Sequence, residues 1–208
     1  MTVDPSRLRL CLVTDRTLAR GRSLEDIVTA AMRGGATMVQ LREKDAGARE
    51  FVERARALRS MLAEAGVAFV INDRVDIALA VDADGVHVGQ SDMPIQDVRR
   101  LMGPNAIVGL SIANAEEMRR DGVGLADYLG VGPIFAQATK ADAAPPLGIA
   151  GLRRLRAMTA KPIMAIGGLT CENAADVLAA GADGLAVVSA IVAADDPMTA
   201  TRRIADLF

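Results

Sequence analysis

The chain has no tryptophan, one tyrosine and one histidine among 208 residues, and these scarcities exclude several chemistries. Single-stranded nucleic acids are usually held on aromatic stacking platforms, which a 2% aromatic content does not supply. The one histidine, His87, lies between Val86 and Val88 with no serine or cysteine nucleophile at a legible spacing, so acyl transfer has no support. In that setting it reads as a hydrogen-bonded strand residue. Cysteine is nearly absent too: Cys11 and Cys171 are far apart in the chain, lack metal-ligand spacing, and read as small buried hydrophobes of a reducing compartment. Neither charge sign is in excess, with 24 Lys and Arg against 26 Asp and Glu, so there is no electrostatic footprint for nucleic acid. No apolar run approaches the roughly 18 residues of a membrane span, and the opening Met1-Thr2-Val3-Asp4-Pro5 has no basic segment leading into an apolar one. The expectation is a soluble, cytoplasmic protein with no membrane or nucleic-acid partner.

What is present is a repeating alternation. Short runs rich in Val, Ile and Leu are each followed by an Ala-rich stretch with helical apolar spacing. Strands are expected at 8–14, 37–42, 68–72, 85–88, 106–111, 128–131, 162–166 and 184–188. Helical stretches include Ser23 to Arg33, with Ser23 as N-cap and Asp26 at the third helical position, and Glu50 to Ala65. On the second, Arg54, Arg56 and Arg59 interleave with Glu50 and Glu53 and read as a solvated face. Small-residue phrases re-enter the sheet at Gly35-Ala36-Thr37, Asp82-Ala83-Asp84-Gly85, Leu125-Ala126-Asp127 and Gly181-Ala182-Asp183. Eight parallel strands, each followed by a helix, close into a (β/α)8 barrel, an α/β TIM-barrel fold expected here as one domain over residues 1–208. An open doubly wound sheet is disfavoured because no Gly-x-Gly-x-x-Gly follows the first strand. One connection is long: 132–148 has no helical or strand period, as functional loops often lack.

Such barrels build their sites at the C-terminal ends of the strands. There, period-two alternation places Gln40, Arg42 and Lys44 on one side of the second strand and Val39 and Leu41 on the other. Asp73, after Asn72, and Asp92, in Gly89-Gln90-Ser91-Asp92-Met93-Pro94, stand at the tops of adjacent strands. Two carboxylates suit Mg2+ shared with substrate phosphates, although Asp73 could instead N-cap the next helix and Asp92 cap the turn at Met93-Pro94. Gly167 and Gly168 after the seventh strand, with Val188 and Ser189 after the eighth, suit a backbone-lined phosphate subsite. Thr139 and Lys140 in the long loop add a hydroxyl and a cation. The residues alone support phosphate-ester chemistry with two anion subsites.

The same stretches carry a family resemblance. Leu12-Val13-Thr14-Asp15, Gln40-Leu41-Arg42-Glu43-Lys44, Ile71-Asn72-Asp73, Gly85-Val86-His87-Val88-Gly89-Gln90-Ser91-Asp92, Gly130-Val131-Gly132-Pro133-Ile134-Phe135, Thr139-Lys140 and Ile166-Gly167-Gly168 together resemble thiamine phosphate synthase, in order from about Leu10 to Pro197. The resemblance implies a (β/α)8 transferase that joins 4-amino-5-hydroxymethyl-2-methylpyrimidine diphosphate to 4-methyl-5-(2-phosphoethyl)thiazole, releasing pyrophosphate and thiamine phosphate by a dissociative route. It further implies that Gln40, Arg42 and Lys44 hold the pyrimidine diphosphate with Asn72 beside it, and that Asp73 and Asp92 bind Mg2+. Ser111 and Lys140 would contact the diphosphate or the departing pyrophosphate and, with Lys44, form the catalytic set. Thr139 and the backbone at Gly167, Gly168, Val188 and Ser189 would bind the thiazole phosphate. A homo-oligomer is left open.

Two positions depart from the family's pattern. Gln137 stands where the family usually has a phosphate-binding threonine, and Ile112-Ala113-Asn114 replaces the frequent Ala-His-Thr after Ser111. The alternatives are a thiazole tautomerase-like paralogue, which needs a histidine near Asn114, and a non-catalytic barrel that retains a phosphate subsite.

Overall fold

The computed structural model describes residues 3–137 and 144–208. Strands β1 (Leu10–Val13), β2 (Met38–Leu41), β3 (Ala68–Asn72), β4 (Gly85–Val88), β5 (Ile107–Ile112), β6 (Tyr128–Val131), β7 (Ile163–Ile166) and β8 (Gly184–Val187) are all parallel and pair in chain order. β8 closes onto β1, with Cys11 opposite Ala186. Helices α1 (Leu24–Gly34), α2 (Ala48–Ala65), α3 (Val75–Ala80), α4 (Ile95–Met102), α5 (Ala115–Met118), α6 (Gly148–Arg156), α7 (Ala174–Ala179), α8 (Ser189–Val192) and α9 (Pro197–Ala205) surround the barrel. The (β/α)8 expectation is met, and the strand ends fall within two residues of those read from the sequence.

The alternation of side chains builds two apolar layers. Along β1, Leu10 and Leu12 face the helices, whereas Cys11 and Val13 join Met38, Val70, Tyr128 and Met164 inside the barrel. Burying an aliphatic side chain of this size stabilises the fold by ~1.5–3 kcal/mol, so the outer layer supplies most of the driving force. α1 shows how local signals set the boundaries. Ser23 Oγ accepts from Asp26 N at 3.0 Å, and Gly35 ends the helix with φ of 105°, donating to Ala31 and Met32 carbonyls. Leu24, Ile27, Val28 and Ala31 form the buried stripe. Gly34 then lets α1 touch α9 at the closure, since a Cβ there would lie 2.5 Å from the Met198 carbonyl. Inside the barrel, burial pushes the Cys11 thiol up to about 12, which leaves it inert, as the sequence suggested.

The re-entry phrases serve as pins at the N-terminal end. Asp84, Asp127 and Asp183, each just before an even-numbered strand, accept from the backbone N–H of Phe69, Val108 and Ile163 respectively, all at 2.8 Å. Thr37 does the same for Leu10 at 3.1 Å. Each carboxylate also faces arginine: Arg7 and Arg59 for Asp84, Arg99 for Asp127, and Arg156 for Asp183. Charge at this end is therefore spent on stability, leaving the opposite end for chemistry.

Candidate active site

At the C-terminal mouth, β2 contributes Gln40, buried and on the same side as Met38, so the period-two expectation holds for the strand itself. It stops at Leu41. Arg42 is placed by its neighbours instead: its N–H donates to Thr14 Oγ1 at 3.0 Å, and its guanidinium lies 3.8 Å from Asp15 Oδ2. Asp15 is itself fixed by accepting from Thr17 N and Oγ1 at 3.0 and 2.6 Å. Lys44 is exposed beyond the strand end.

Glu43, between those two cations, was not foreseen as part of the support. Its side chain is 5% exposed, and its carboxylate accepts from Arg54 at 2.7 Å and lies 3.7 Å from Arg16. Its Oε1 has no partner among the described residues, and burial pushes its pKa upward against the pull of Arg54 and Arg16. The reading of Arg54, Arg56 and Arg59 as a solvated face therefore needs correction. Arg54 anchors Glu43, and Arg59 donates to the Asp82 carbonyl at 2.8 Å and approaches Asp84; only Arg56 is an exposed member of the face. A helix-surface spacing shows which charges share a face, not which of them a neighbouring loop will recruit.

Asn72 ends β3, and Asp73 follows in the left-handed region with φ of 61°, its N–H donating to the His87 carbonyl at 2.8 Å. Asp92 accepts from Gly89 N at 2.7 Å, so it closes its own loop. Neither is the cap of the helix that follows, where Arg74 and Pro94 occupy those positions. Burial among the strand ends and the adjoining Asp92 carboxyl push Asp73 up to about 6 from an ordinary 3.8, while Asn72 and Arg42 pull the other way. Asp73 still presents an exposed surface to solvent.

Below this pair, the His87 ring bridges two hydroxyls: Nδ1 to Tyr128 at 2.9 Å and Nε2 to Ser111 Oγ at 2.9 Å. The expectation of a hydrogen-bonded barrel histidine is met. Ser111 is also held through its carbonyl, which accepts from Gln90 Nε2 at 2.7 Å, and Gln90 in turn accepts from Arg120. Asn114 is fully engaged: its Oδ1 accepts from Glu116 N and Glu117 N at 3.0 and 2.9 Å, while Glu117 accepts from Ala113 N. The departure at Ile112-Ala113-Asn114 is thus a reciprocal cap of α5.

On the far side, the root of the β6–α6 connection folds over β7. Ile134 N and Phe135 N donate to the Ile166 and Gly167 carbonyls at 2.9 and 3.0 Å. Gly167 and Gly168 adopt φ of 100° and 65°, and Cβ atoms there would lie 2.5 Å from Pro133 Cβ and 2.6 Å from the Ala136 carbonyl. Only glycine permits both the turn and this approach. Asn173 fixes the turn from beneath, donating to the Gly168 carbonyl at 2.9 Å. Val188 and Ser189 stand next door at the start of α8, and Gln137 is half-buried on the loop root. Thr139 and Lys140 lie outside the described residues.

Could the mouth hold a divalent cation? Asp73 and Asp92 bring two carboxyls into contact, an arrangement that like charges resist unless a cation or proton joins them. Among the described residues no group of three or more His, Cys, Asp or Glu forms a metal cage. Two carboxylates completed by substrate oxygens and water are what Mg2+ accepts, so the donor set fits it.

With this geometry in view, comparison with known proteins is informative. Residues 10–191 match the family model described as thiamine monophosphate synthase. A thiamine-phosphate synthase from Chloroflexus aurantiacus is 57% identical over 199 residues, covering 94% of this chain and 90% of the relative. One from Albidiferax ferrireducens is 53% identical over 200 residues, covering 96% and 91%. The solved thiamine phosphate pyrophosphorylase of Pyrococcus furiosus superposes with a TM-score of 0.88 at 39% identity, covering 98% of this chain and 96% of that one. The barrel, its ordered strand-end residues and these full-length matches lead to one conclusion: the chain belongs to the thiamine monophosphate synthase family.

Proposed function

We infer that the protein is a thiamine phosphate synthase, a transferase that moves the pyrimidinylmethyl group of 4-amino-5-hydroxymethyl-2-methylpyrimidine diphosphate onto the ring nitrogen of 4-methyl-5-(2-phosphoethyl)thiazole. The observation that carries this reading is the convergence of Gln40, Arg42, Asn72, Asp73, Asp92 and Ser111 on one end of a barrel whose sequence matches the family from residue 10 to 191. Gln40 would present its amide to the pyrimidine. Arg42 and Lys44 would hold the diphosphate as fixed cations, with Ser111 Oγ a further contact. Asp73 and Asp92 would hold Mg2+, which supplies charge neutralisation to a departing diphosphate when bound. The turn at Gly167 and Gly168, with Val188 and Ser189, would receive the thiazole phosphate, and Gln137, Thr139 and Lys140 would close over it.

In the reaction, the methylene C–O bond breaks with its electron pair leaving on pyrophosphate, and the thiazole nitrogen lone pair forms the new C–N bond. No strong base is required, and the residues fit that need: alignment and anion stabilisation dominate. The tautomerase alternative is disfavoured because Asn114 stands where its histidine is needed and is occupied in capping α5.

The direct test incubates purified protein with both substrates and Mg2+ and measures both products. Equimolar thiamine phosphate and pyrophosphate, abolished by a chelator, is the expected result; binding of thiazole phosphate without turnover would overturn the synthase reading. A second expectation concerns Gln137. Gln137→Thr should lower the KM for thiazole phosphate by roughly 2–5-fold, the equivalent of one modest hydrogen bond. A higher KM would instead identify the amide as an adapted contact.

A further inference from the structure

Three neighbouring strands place a polar chain beneath the mouth. His87 on β4 is opposite Gly109 on β5, which is opposite Tyr128 on β6; one pleat higher, Ser111 is opposite Gly130. The glycines make room for the rings. A Cβ on Gly109 would lie 2.3 Å from both His87 Nδ1 and Tyr128 Cζ, and one on Gly130 would lie 2.6 Å from His87 Cε1. The imidazole is thus seated against backbone on β5 and β6, with one nitrogen directed down the barrel and the other up.

The direction of the protons follows from Tyr128. It is 0% exposed, and its hydroxyl has no hydrogen-bond partner among the described residues other than His87 Nδ1. Were Nδ1 to carry the ring proton, it would donate to the phenol oxygen and leave the phenolic O–H buried without an acceptor, a strongly disfavoured state. Tyr128 therefore donates to Nδ1, which puts the imidazole proton on Nε2. Nε2–H donates to Ser111 Oγ at 2.9 Å. With its oxygen occupied from below, and its carbonyl tied to Gln90, Ser111 keeps its own O–H to give to a ligand in the mouth.

We propose that His87 and Tyr128 are positioning residues which, through the one-way chain Tyr128 O–H to His87 and His87 Nε2–H to Ser111, make the Ser111 hydroxyl an obligate donor toward the diphosphate. The proposal rests on the synthase reading for its substrate, but not for its proton order. A hydroxyl left to rotate could accept from the substrate's surroundings as readily as donate. Fixed as a donor, it strengthens its contact as negative charge gathers on the leaving oxygens.

The sequence makes this unusually testable, because it has a single histidine and a single tyrosine. Protein labelled with 15N-histidine gives one ring spectrum. The neutral tautomer with Nε2 protonated and Nδ1 bare is expected at pH 7.5; an Nδ1–H tautomer or an imidazolium would overturn the proposal. Tyr128→Phe keeps the ring and removes the donor. It should broaden the single tautomer into a mixture, lower the melting temperature by roughly 2–4 °C through the loss of one buried hydrogen bond, and lower kcat about tenfold, the rate equivalent of one hydrogen bond. The decisive comparison is a double-mutant cycle. In a Ser111→Ala background, Tyr128→Phe should cause no further loss, whereas multiplying losses would mean a merely structural role and overturn the proposal. Inorganic pyrophosphate binding, measured by calorimetry on the same variants, separates the two readings. If the wild type makes no thiamine phosphate, the synthase reading falls. The tautomer and the pyrophosphate affinities then decide the proposal, which is sustained by weaker pyrophosphate binding in Tyr128→Phe and overturned by unchanged binding.

Discussion

Asp73→Asn should lower turnover by on the order of 10³-fold, the scale of losing a metal's contribution to charge stabilisation, while making the cation-free protein more stable at pH 7.5. Asparagine tolerates the left-handed φ of 61° at this position, so the backbone has no reason to move. The sign of the stability effect follows from linkage. Asp73 titrates at about 6 when folded against an ordinary 3.8. Its folded-state pKa is raised, so its stabilising contribution is complete below about 3.8 and is lost as pH rises through about 6. At pH 7.5 the ionised carboxyl is held beside Asp92 at a net loss. The asparagine variant should therefore show a flatter pH dependence of melting temperature across that window. Mg2+ should recover stability in the wild type by binding the folded state alone, and do so less in the variant. Normal turnover of Asp73→Asn at limiting Mg2+ would remove the metal assignment; a lower melting temperature at pH 7.5 would remove the electrostatic one.

How much of this was readable beforehand differs between fold and site. The strands were legible because each is a short apolar run and its follower has helical spacing; Ser23 and Asp26 marked the start of α1 by a capping pattern confined to four residues. Those signals are local. The candidate carboxylates and glycines were also legible, since strand-end position alone singles them out in a barrel. The supporting contacts were not. His87 and Tyr128 are 41 residues apart and meet only because β4 and β6 flank a glycine on β5. Arg54 looked like part of a charged helix face, yet Glu43, eleven residues earlier, folds back to meet it. The aspartates of the re-entry phrases were visible as a recurrence, but the N–H groups they accept belong to the preceding strand, 15 to 20 residues away. Periodicity reports which way a side chain points; it does not report what the closed barrel brings to meet it.

That recurrence yields the second large effect. Asp127→Ala should destabilise the protein by roughly 3 kcal/mol, lowering the melting temperature by roughly 6–12 °C. Two partners are lost together: the Val108 N–H at 2.8 Å, inside a paired strand, and Arg99 at 2.6 Å, whose side chain is 18% exposed. The remaining Arg99 contacts, to the carbonyls of Gly103, Ala106 and Leu125, keep the cation in place without its counter-charge. Asp183→Ala should be milder, because that side chain is 51% exposed and water can replace its carboxylate. Thr37→Val should be milder again, at about 1–2 kcal/mol, since the Leu10 N–H loses a neutral acceptor, the Arg7 and Leu10 carbonyls lose a shared hydroxyl donor, and no charge is left without its partner. Thermal unfolding of the three variants gives the ranking, and an equal loss in all three would show that the strand N–H alone matters. Mg2+ should leave each of these differences unchanged. A carboxylate at the lower end is met by an N–H and a guanidinium, whereas at the mouth Asp92 has the Gly89 N–H and Asp73 has Asn72 and a distant Arg42, and each also faces the other's like charge, so a cation has charge there to satisfy.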